Sequence, residues 1–496
     1  MTPDTSAASA DSPTTPTPVH SLARFMTLGA LPTLVSLAAS VARNKALAFT
    51  VGPAGIGVIG EAAQIGSLAM TLAAIAGGPV LGGAVARAMR DASAARSRTV
   101  LTTSLALALG LGLVGAVAGV ALSPLVVGAS WPLSTRFAVG IAVGASLVSV
   151  VSTTLATGMA AHADTFGATG AALVSSFFGA AVTVWLALTF GLVGALWSLV
   201  ATAVVTLVAT AAFAWRSARG RESLAPILRW DSTHAKTCVA LGMAGLLGTL
   251  AQQGSLVAIR STLEKVGGAA EGAVLNGQFQ AAFGLEAQLF ALGMTGLFAY
   301  YWPQFGTARS ADETSAQLAR VTAFILKTFP PLVLAAVLAR REIITILFSD
   351  RFHVATDVLV WYLAAATPKA LLYTYGAPLY FTGKPLRFAA LGVLGFGILG
   401  AVSVAATLRL GIVGVGVGQL AGVIIHLVLA MAFTRATIPV RLRVPRALAA
   451  VAFAGVVLVL DWATRDAPVL RWSLFGLTLV WIGVNLLQRL RPASKK

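Results

Sequence analysis

Residues 41–68 read V-A-R-N-K-A-L-A-F-T-V-G-P-A-G-I-G-V-I-G-E-A-A-Q-I-G-S-L and hold two apolar segments joined by a Gly-Pro-Ala-Gly turn. Arg43 and Lys45 end the first segment, and Glu61 and Gln64 lie within the second. A fixed charge near the middle of a bilayer costs about 2.5–3.5 kcal/mol on insertion scales, so such residues face a protein interior or an aqueous cavity. The stretch therefore predicts two membrane-spanning helices beside a polar cavity.

Composition extends this prediction to the whole chain. Of the 496 residues, 57% are hydrophobic and only 10% are charged, whereas a soluble domain has about 25% charged residues. Apolar runs of about 20 residues, enough to cross a hydrocarbon core of ~30 Å, recur along the entire length. The sequence therefore predicts an all-α polytopic membrane protein with about fourteen transmembrane helices.

These spans form two related halves. Three pairs of positions lie 216–220 residues apart: Arg43 and Arg260, Gln64 and Gln280, and the segments Gly191-Leu-Val-Gly-Ala and Gly411-Ile-Val-Gly-Val. Because six spans per half is an even number, the repeats are expected to share one orientation, related by an axis along the membrane normal. The fold class predicted is two six-helix lobes, related by a pseudo-two-fold repeat, plus two C-terminal helices.

Domain limits and orientation follow from composition and charge. The predicted units are a disordered cytoplasmic tail (1–21), an N-lobe with helices 1–6 (22–215), a basic cytoplasmic linker (216–236), a C-lobe with helices 7–12 (237–435), and two additional helices with a basic tail (436–496). About two thirds of the 35 Lys and Arg residues fall on the side of both termini. The positive-inside rule therefore predicts cytoplasmic termini, and the basic excess requires no nucleic acid partner.

Four basic residues at or inside the spans are candidate substrate ligands: Arg43, Lys45, Arg260 and Lys369. In one shared lumen they would form a cationic cavity suited to a phosphate-bearing substrate. The alternative for the first three is that they reach the outer headgroups from helix ends. Lys369 lies about thirteen residues inside its span, where that reach is harder.

Carboxylates and amides add a second group of candidates. Glu61 and Glu286 are predicted to couple transport to a cation or proton, or else to form structural ion pairs with the buried basic residues. Four glutamines are candidates to bind sugar hydroxyls, or alternatively to bond across helices: Gln64, Gln278, Gln280 and Gln288.

The sequence shows no enzyme constellation, metal site or cofactor motif. The five histidines are scattered, and none belongs to an H-E-x-x-H motif. Cys238 is the only cysteine, so an intramolecular disulfide is excluded. No Walker A motif is present, so any transport is not driven by ATP bound to this chain. From these absences together we expect no catalytic residue, no metal and no cofactor.

Two motifs resemble those of Wzx-type polysaccharide flippases, whose superfamily includes lipid II flippases and multidrug exporters (the multidrug/oligosaccharidyl-lipid/polysaccharide exporters). The first is Arg43-Asn-Lys-Ala-Leu-Ala, followed by Gly52-Pro-Ala-Gly-Ile-Gly and Gln64. The second is similar to the enterobacterial common antigen flippase branch: Asp357-Val-Leu-Val-Trp361, then Lys369, Gly376 and Lys384-Pro-Leu-Arg387-Phe388.

This resemblance implies two lobes around a V-shaped, basic central cavity in a bacterial inner membrane. It also implies a substrate, undecaprenyl diphosphate carrying an oligosaccharide such as an O-antigen, common antigen or exopolysaccharide repeat unit. Lys369 matches a lysine of the second motif and Gln64 the glutamine of the first. Some relatives have a basic residue just before that glutamine, where this chain has Ala63.

The predicted function is flipping of lipid-linked oligosaccharide to the periplasmic leaflet by alternating access. The expected partners are that substrate, membrane lipids and polysaccharide polymerase machinery. One alternative is an ion-coupled multidrug exporter, although organic cations favour an acidic or aromatic cavity. The others are a membrane enzyme, such as an O-antigen ligase or polymerase, which needs a larger periplasmic loop, and an inactive scaffold of polysaccharide assembly.

Overall fold

The structure is a computed structural model that describes residues 18–73, 75, 94–126, 132–161, 164–220, 229–307, 310–381 and 384–490. Within these ranges the chain is helical and contains no strand, so the all-α prediction is confirmed. The helices are α1 (Pro18–Ala73), α2 (Ala94–Val126), α3 (Leu133–Gly144), α4 (Ser146–Ala161), α5 (Thr165–Gly220), α6 (Ser232–Thr307), α7 (Ala311–Leu338), α8 (Arg340–Leu347), α9 (His353–Phe381), α10 (Pro385–Leu410), α11 (Ile412–Thr437), α12 (Val444–Thr464) and α13 (Pro468–Leu490), with a 3₁₀ turn at Asp350–Phe352.

Four glycines with positive φ reverse the chain direction. Gly52, Gly191 and Gly268 break α1, α5 and α6 into two arms each, and Gly411 separates α10 from α11. Their φ values of 59–66° are open to glycine because it has no Cβ. Gly52 and Gly268 lie 216 residues apart, and Gly191 and Gly411 lie 220 apart. The repeat predicted from sequence is therefore matched by a repeat of backbone breaks.

Eight helices of the described chain are long and apolar enough to cross a membrane. Two of them, Val35–Ala73 with 39 residues and Phe166–Ala218 with 53, are long enough to cross twice, since about 20 residues suffice for one crossing. Their glycine breaks divide them into the paired spans that the hydropathy pattern predicts. The polytopic fold is thus confirmed.

The helices pack as two lobes. Helices α1–α5 pack against one another, and α6–α11 form the second group. Helix α12 packs on α9 and α7, and α13 packs on α7, so the two last helices extend the second lobe. Three ion pairs hold them there: Arg340–Asp461, Arg465–Asp357 and Arg471–Glu342.

The helix ends differ from the predicted domain limits at the tail and at the linker. Helix α1 begins at Pro18, so the last residues of the predicted tail are helical, and residues 1–17 lie outside the described chain. Helix α5 runs to Gly220 and α6 begins at Ser232, so both ends of the predicted linker are helical. Residues 221–228 of that linker and the tail after residue 490 lie outside the described residues.

The lobes cross closely at the end of the molecule that carries the glycine breaks, which we call the glycine end. A Cβ at Gly57 in the second arm of α1 would lie 2.6 Å from the carbonyl oxygen of Ala273 in the second arm of α6. A Cβ at Gly277 would overlap the carbonyl group of Pro53. Gly57 and Ala273 are 216 residues apart, so equivalent positions of the two repeats meet at this crossing.

Replacing Gly277 with alanine is expected to destabilise the protein by about 1–3 kcal/mol, because the added methyl group forces the two helix backbones apart. Thermal unfolding of the detergent-solubilised protein measures the loss. Gly254→Ala in the first arm of α6 is the matched control, since nothing lies within 4 Å of a Cβ there. Equal melting temperatures for the two variants would show that the crossing is not a close backbone contact.

The lobes also contact each other at the opposite end. The Asp231 backbone N–H donates to Thr103 Oγ1 at 3.0 Å, and Ser104 Oγ lies 2.9 Å from His234 Nε2. Thr103 and Ser104 belong to α2 of the first lobe, whereas Asp231 and His234 lie at the start of α6. The space between the lobes is thus bounded by interlobe contacts at both ends.

Candidate functional site

A cavity of about 340 Å³ lies between the two lobes. Helices α1, α4 and α5 supply its first-lobe wall, and the second arm of α6 supplies the facing wall, with Phe348 beyond α8 at its edge. Both lobes therefore contribute to its lining. We call it the central cavity.

Arg43 is the one charged residue among the described residues that line the central cavity, and no carboxylate lines it there. The side chain is half-buried. Within the described chain, no hydrogen bond or ion pair engages its guanidinium. An unpaired guanidinium offers five N–H donors in a planar fork that matches phosphate oxygens.

Amide side chains continue this donor surface. Asn44, Gln280 and Gln288 line the same cavity. The Oε1 atom of Gln280 accepts a hydrogen bond from Arg260 Nη2, which leaves the Gln280 amide N–H₂ as its remaining hydrogen-bonding group. Arg260 thus fixes the orientation of the Gln280 amide group.

Arg260 itself lies behind this wall. Only 4% of its surface is exposed, and its guanidinium lies 5.1 Å from the centroid of the Phe279 ring. Its Nε and Nη1 atoms have no hydrogen-bond partner among the described residues. The structure therefore places Arg260 in the protein interior rather than at the membrane surface, close enough to hold Gln280.

Five hydroxyl groups lie on the first-lobe side of the central cavity: Ser149, Thr183, Ser198, Thr202 and Thr206. Several donate their proton to their own helix, as Thr183 does to the Gly179 carbonyl at 2.8 Å and Ser198 to the Ala195 carbonyl at 2.6 Å. A hydroxyl that has donated its proton retains acceptor lone pairs. Hydropathy did not reveal these residues, because a Ser or Thr that bonds to its own helix is ordinary in an apolar span.

Glu61 and Gln64 connect the lobes instead of lining the central cavity. Glu61 is buried, and its Oε1 accepts from Asn276 Nδ2 at 3.0 Å. Gln64 Nε2 donates to Gln253 Oε1 of α6. Gln64 therefore forms the cross-helix hydrogen bond that the sequence left open as an alternative to sugar binding, and Asn276 is an interlobe residue that sequence reasoning missed.

Lys45 lies apart from the central cavity. It is exposed, and its Nζ donates to the carbonyl oxygen of Thr345 in α8 at 2.8 Å. This contact joins the first lobe to the second at the glycine end. Arg43 and Lys45 are thus two residues apart in the sequence and face different surroundings.

Lys369 and Glu286 form a buried ion pair inside the second lobe. Lys369 Nζ lies 3.1 and 3.2 Å from the two carboxylate oxygens and 4.6 Å from the centroid of the Phe290 ring. The Glu286 side chain is 1% exposed. Glu286 borders an apolar cavity of about 110 Å³, and Lys369 borders another of about 40 Å³ that also contacts Gln419. Lys369 and Arg43 therefore line different cavities.

The remaining polar candidates have structural partners. Gln278 Nε2 donates to the Arg351 carbonyl at 2.7 Å, and its Oε1 accepts from the Ala355 N–H at 3.0 Å. His426 packs edge-on against the Phe396 ring. No group of three or more His, Cys, Asp or Glu residues in the described chain is placed to hold a metal ion.

No family model and no curated protein sequence matches this chain. Solved structures do. An outward-facing multidrug resistance MATE family transporter of the MOP superfamily matches with a TM-score of 0.61 at 17% identity, over 85% of this chain and 98% of that one. An inward-facing transporter of the same description matches with a TM-score of 0.54 at 16% identity, over 82% and 94%.

A third match is a MOP superfamily transporter from Pyrococcus furiosus, reported for the reverse polarity of its binding pocket. Its TM-score is 0.56 at 17% identity, over 85% of this chain and 98% of that one. Identities this low show the fold alone. The chain has the two-lobed helical fold of the MATE transporters of the MOP superfamily.

Proposed function

We propose that this protein is a transporter of the bacterial inner membrane that flips a lipid-linked anionic saccharide, undecaprenyl diphosphate bearing an oligosaccharide, to the outer leaflet. The observation that carries this proposal is the central cavity between the lobes, where the unpaired Arg43 is the one charge among the described lining residues. The lobe arrangement supports transport, and the charge supports an anionic cargo.

The donors of the central cavity suit a diphosphate. Charge-assisted hydrogen bonds from a guanidinium to phosphate oxygens are about twice as strong as neutral ones. Arg43 supplies that contact, and Gln280 supplies an amide donor whose orientation is fixed by Arg260. Arg260 adds a second positive charge behind the wall, which the low dielectric of the interior screens less than water does.

Alternating access would expose the central cavity to each side of the membrane in turn. The crossing at the glycine end, which includes Glu61–Asn276, and the Ser104–His234 contact at the opposite end must open alternately. The lipid tail would stay in the bilayer while the headgroup passes. We place coupling to an ion gradient at Glu61 or Glu286, two buried carboxylates that bond to residues of other helices, and we expect polysaccharide polymerase machinery to receive the product.

The second candidate function is multidrug export, and the described functions of the structural neighbours favour it. A pocket for organic cations needs carboxylates or aromatic rings facing the cargo. The described lining of the central cavity contains no carboxylate, and its one aromatic ring is Phe348 at the edge. The Pyrococcus furiosus transporter, whose reversed pocket polarity is reported to suggest a different function, supports the view that this fold accommodates more than one cargo charge.

Reconstitution into liposomes separates these two functions. Liposomes containing a polyprenyl diphosphate N-acetylglucosamine are treated with an external galactosyltransferase, which modifies only the outer leaflet. We expect modification to rise from about half of the lipid towards all of it when the protein is present, with no efflux of ethidium. Ethidium transport without lipid flipping would establish the multidrug exporter instead, and heat-inactivated protein is the control for leaky vesicles.

A further inference from the structure

A second cavity of about 170 Å³ adjoins the central cavity on the other side of Arg43. The two cavities share Arg43, Thr202 and Thr206 as lining residues. The second cavity lies within the first lobe, between α1 and the two arms of α5. A single buried water needs about 10–15 Å³ of such space, so the cavity admits a group much larger than water.

Hydroxyl groups dominate its walls: Ser36, Ser40, Ser175, Ser176, Thr202 and Thr206. The Ser175 hydroxyl donates to the Ala171 carbonyl at 2.7 Å, and the Thr206 hydroxyl donates to the Thr202 carbonyl at 2.8 Å. Each of these oxygens retains lone pairs and has no further proton to give. The hydroxyls of Ser36, Ser40 and Ser176 can donate as well as accept, so the wall offers neutral hydrogen-bonding groups of both kinds, whereas Arg43 at its mouth presents charged donors.

We propose that this second cavity, the hydroxyl pocket, is a binding subsite for an uncharged sugar ring attached to the diphosphate that Arg43 holds. Sugar hydroxyl and acetamido groups both donate and accept hydrogen bonds, as the Ser and Thr hydroxyls of this wall do. Arg43 is the one cationic side chain among the described residues that line this pocket, so a phosphate placed deeper in it gains no further charge-assisted contact. An acyl or isoprenoid chain would form no hydrogen bond with the six hydroxyl groups of this wall and is therefore disfavoured.

This assignment rests on the proposed function and specifies how the substrate lies between the two cavities. The diphosphate lies at Arg43, at the boundary between the two cavities, and the first sugar points into the first lobe. The pocket then distinguishes a glycosylated carrier lipid from the bare one. A recess filled only with water would make no such distinction.

Binding of two probes to the purified full-length protein tests the subsite. The probes are farnesyl diphosphate and farnesyl diphosphate N-acetylglucosamine, and the readout is the dissociation constant of each in detergent. Ser176 lines only the hydroxyl pocket, so Ser176→Leu fills it and leaves the central cavity unchanged. We expect this variant to bind the glycosylated probe at least about tenfold more weakly and the bare diphosphate as tightly as the wild type.

Ser176→Ala removes the hydroxyl without adding bulk. It is expected to weaken binding of the glycosylated probe about 3- to 10-fold, the effect of losing one neutral hydrogen bond. Ala172→Leu, on the exposed face of the same arm, is the control and should change neither constant. Equal weakening of both probes by Ser176→Leu, or no weakening of either, would overturn the subsite while the proposed function stands. Binding of neither probe by the wild type would overturn both.

Discussion

Replacing Arg43 with alanine is expected to abolish flipping of a polyprenyl diphosphate saccharide while leaving the protein folded. Arg43 is the one charge among the described residues that line the central cavity, so its loss removes the charge-assisted bonds to phosphate, worth about 1.5–3 kcal/mol each. That energy corresponds to roughly 10- to 150-fold weaker binding. The accessibility assay in liposomes measures flipping, and the dissociation constant of farnesyl diphosphate measures binding.

Lys45→Ala is the matched control for this experiment. It removes the same charge two residues further along the same helix, but Lys45 is exposed and bonds only to the Thr345 carbonyl among the described residues. We expect binding of the diphosphate to stay within about twofold of the wild type, since exposed charges are largely screened beyond ~10 Å at 0.1 M salt. Equal losses in the two variants would indicate that overall charge, not the cavity, attracts the ligand.

Arg43→Lys separates the effect of the positive charge from that of the guanidinium geometry. A lysine keeps the charge but replaces the planar fork with a compact ammonium, so bidentate contact with phosphate is lost. We expect intermediate binding, weaker than the wild type and stronger than the alanine variant. If the lysine variant bound farnesyl diphosphate as tightly as the wild type, the positive charge at this position alone would account for the binding.

The backbone of this fold could be predicted from the sequence to a large extent, because hydrophobic periodicity and glycine placement are local signals. Gly191 and Gly411 open similar segments 220 residues apart, and both adopt positive φ in the structure. The offset of Arg43 and Arg260 likewise anticipated the pairing of Gly52 with Gly268. Each signal depends only on residues near it in the chain.

The surroundings of the charged residues could not be predicted in the same way. Arg43 and Lys45 occupy one motif, yet one lines the central cavity and the other is exposed. That difference depends on the rotation of α1 against α5 and α6, which hydropathy does not encode. The sequence left the membrane surface open as an alternative for Arg260, whereas the structure buries it with a hydrogen bond to Gln280, twenty residues away across a helix break.

The partner of Lys369 shows the same limit over a longer distance. Lys369 and Glu286 are 83 residues apart, and their contact depends on how α9 packs against the second arm of α6. From the sequence, Lys369 is a candidate substrate ligand, and Glu286 is either a coupling residue or the ion-pair partner of a buried basic residue. The structure shows the ion pair, so the question becomes whether it serves stability alone or also transport.

Breaking this pair is expected to destabilise the protein strongly. Lys369→Met leaves the Glu286 carboxylate buried without its ammonium, which costs about 3–5 kcal/mol. Replacing both partners with apolar residues, Lys369→Met with Glu286→Leu, is expected to restore most of that loss because no uncompensated charge remains. Equilibrium unfolding in detergent gives the free energies for this double-mutant cycle.

The exposed pair Arg465–Asp357 provides the contrast. Its side chains are 48% and 44% exposed, so Arg465→Ala is expected to cost less than about 1 kcal/mol. A similar cost for Lys369→Met would show that the Lys369–Glu286 pair is solvated rather than buried. The stable double variant then decides the role of the pair: flipping at the wild-type rate assigns it to stability, whereas a folded protein that binds farnesyl diphosphate but does not flip the saccharide assigns it to coupling.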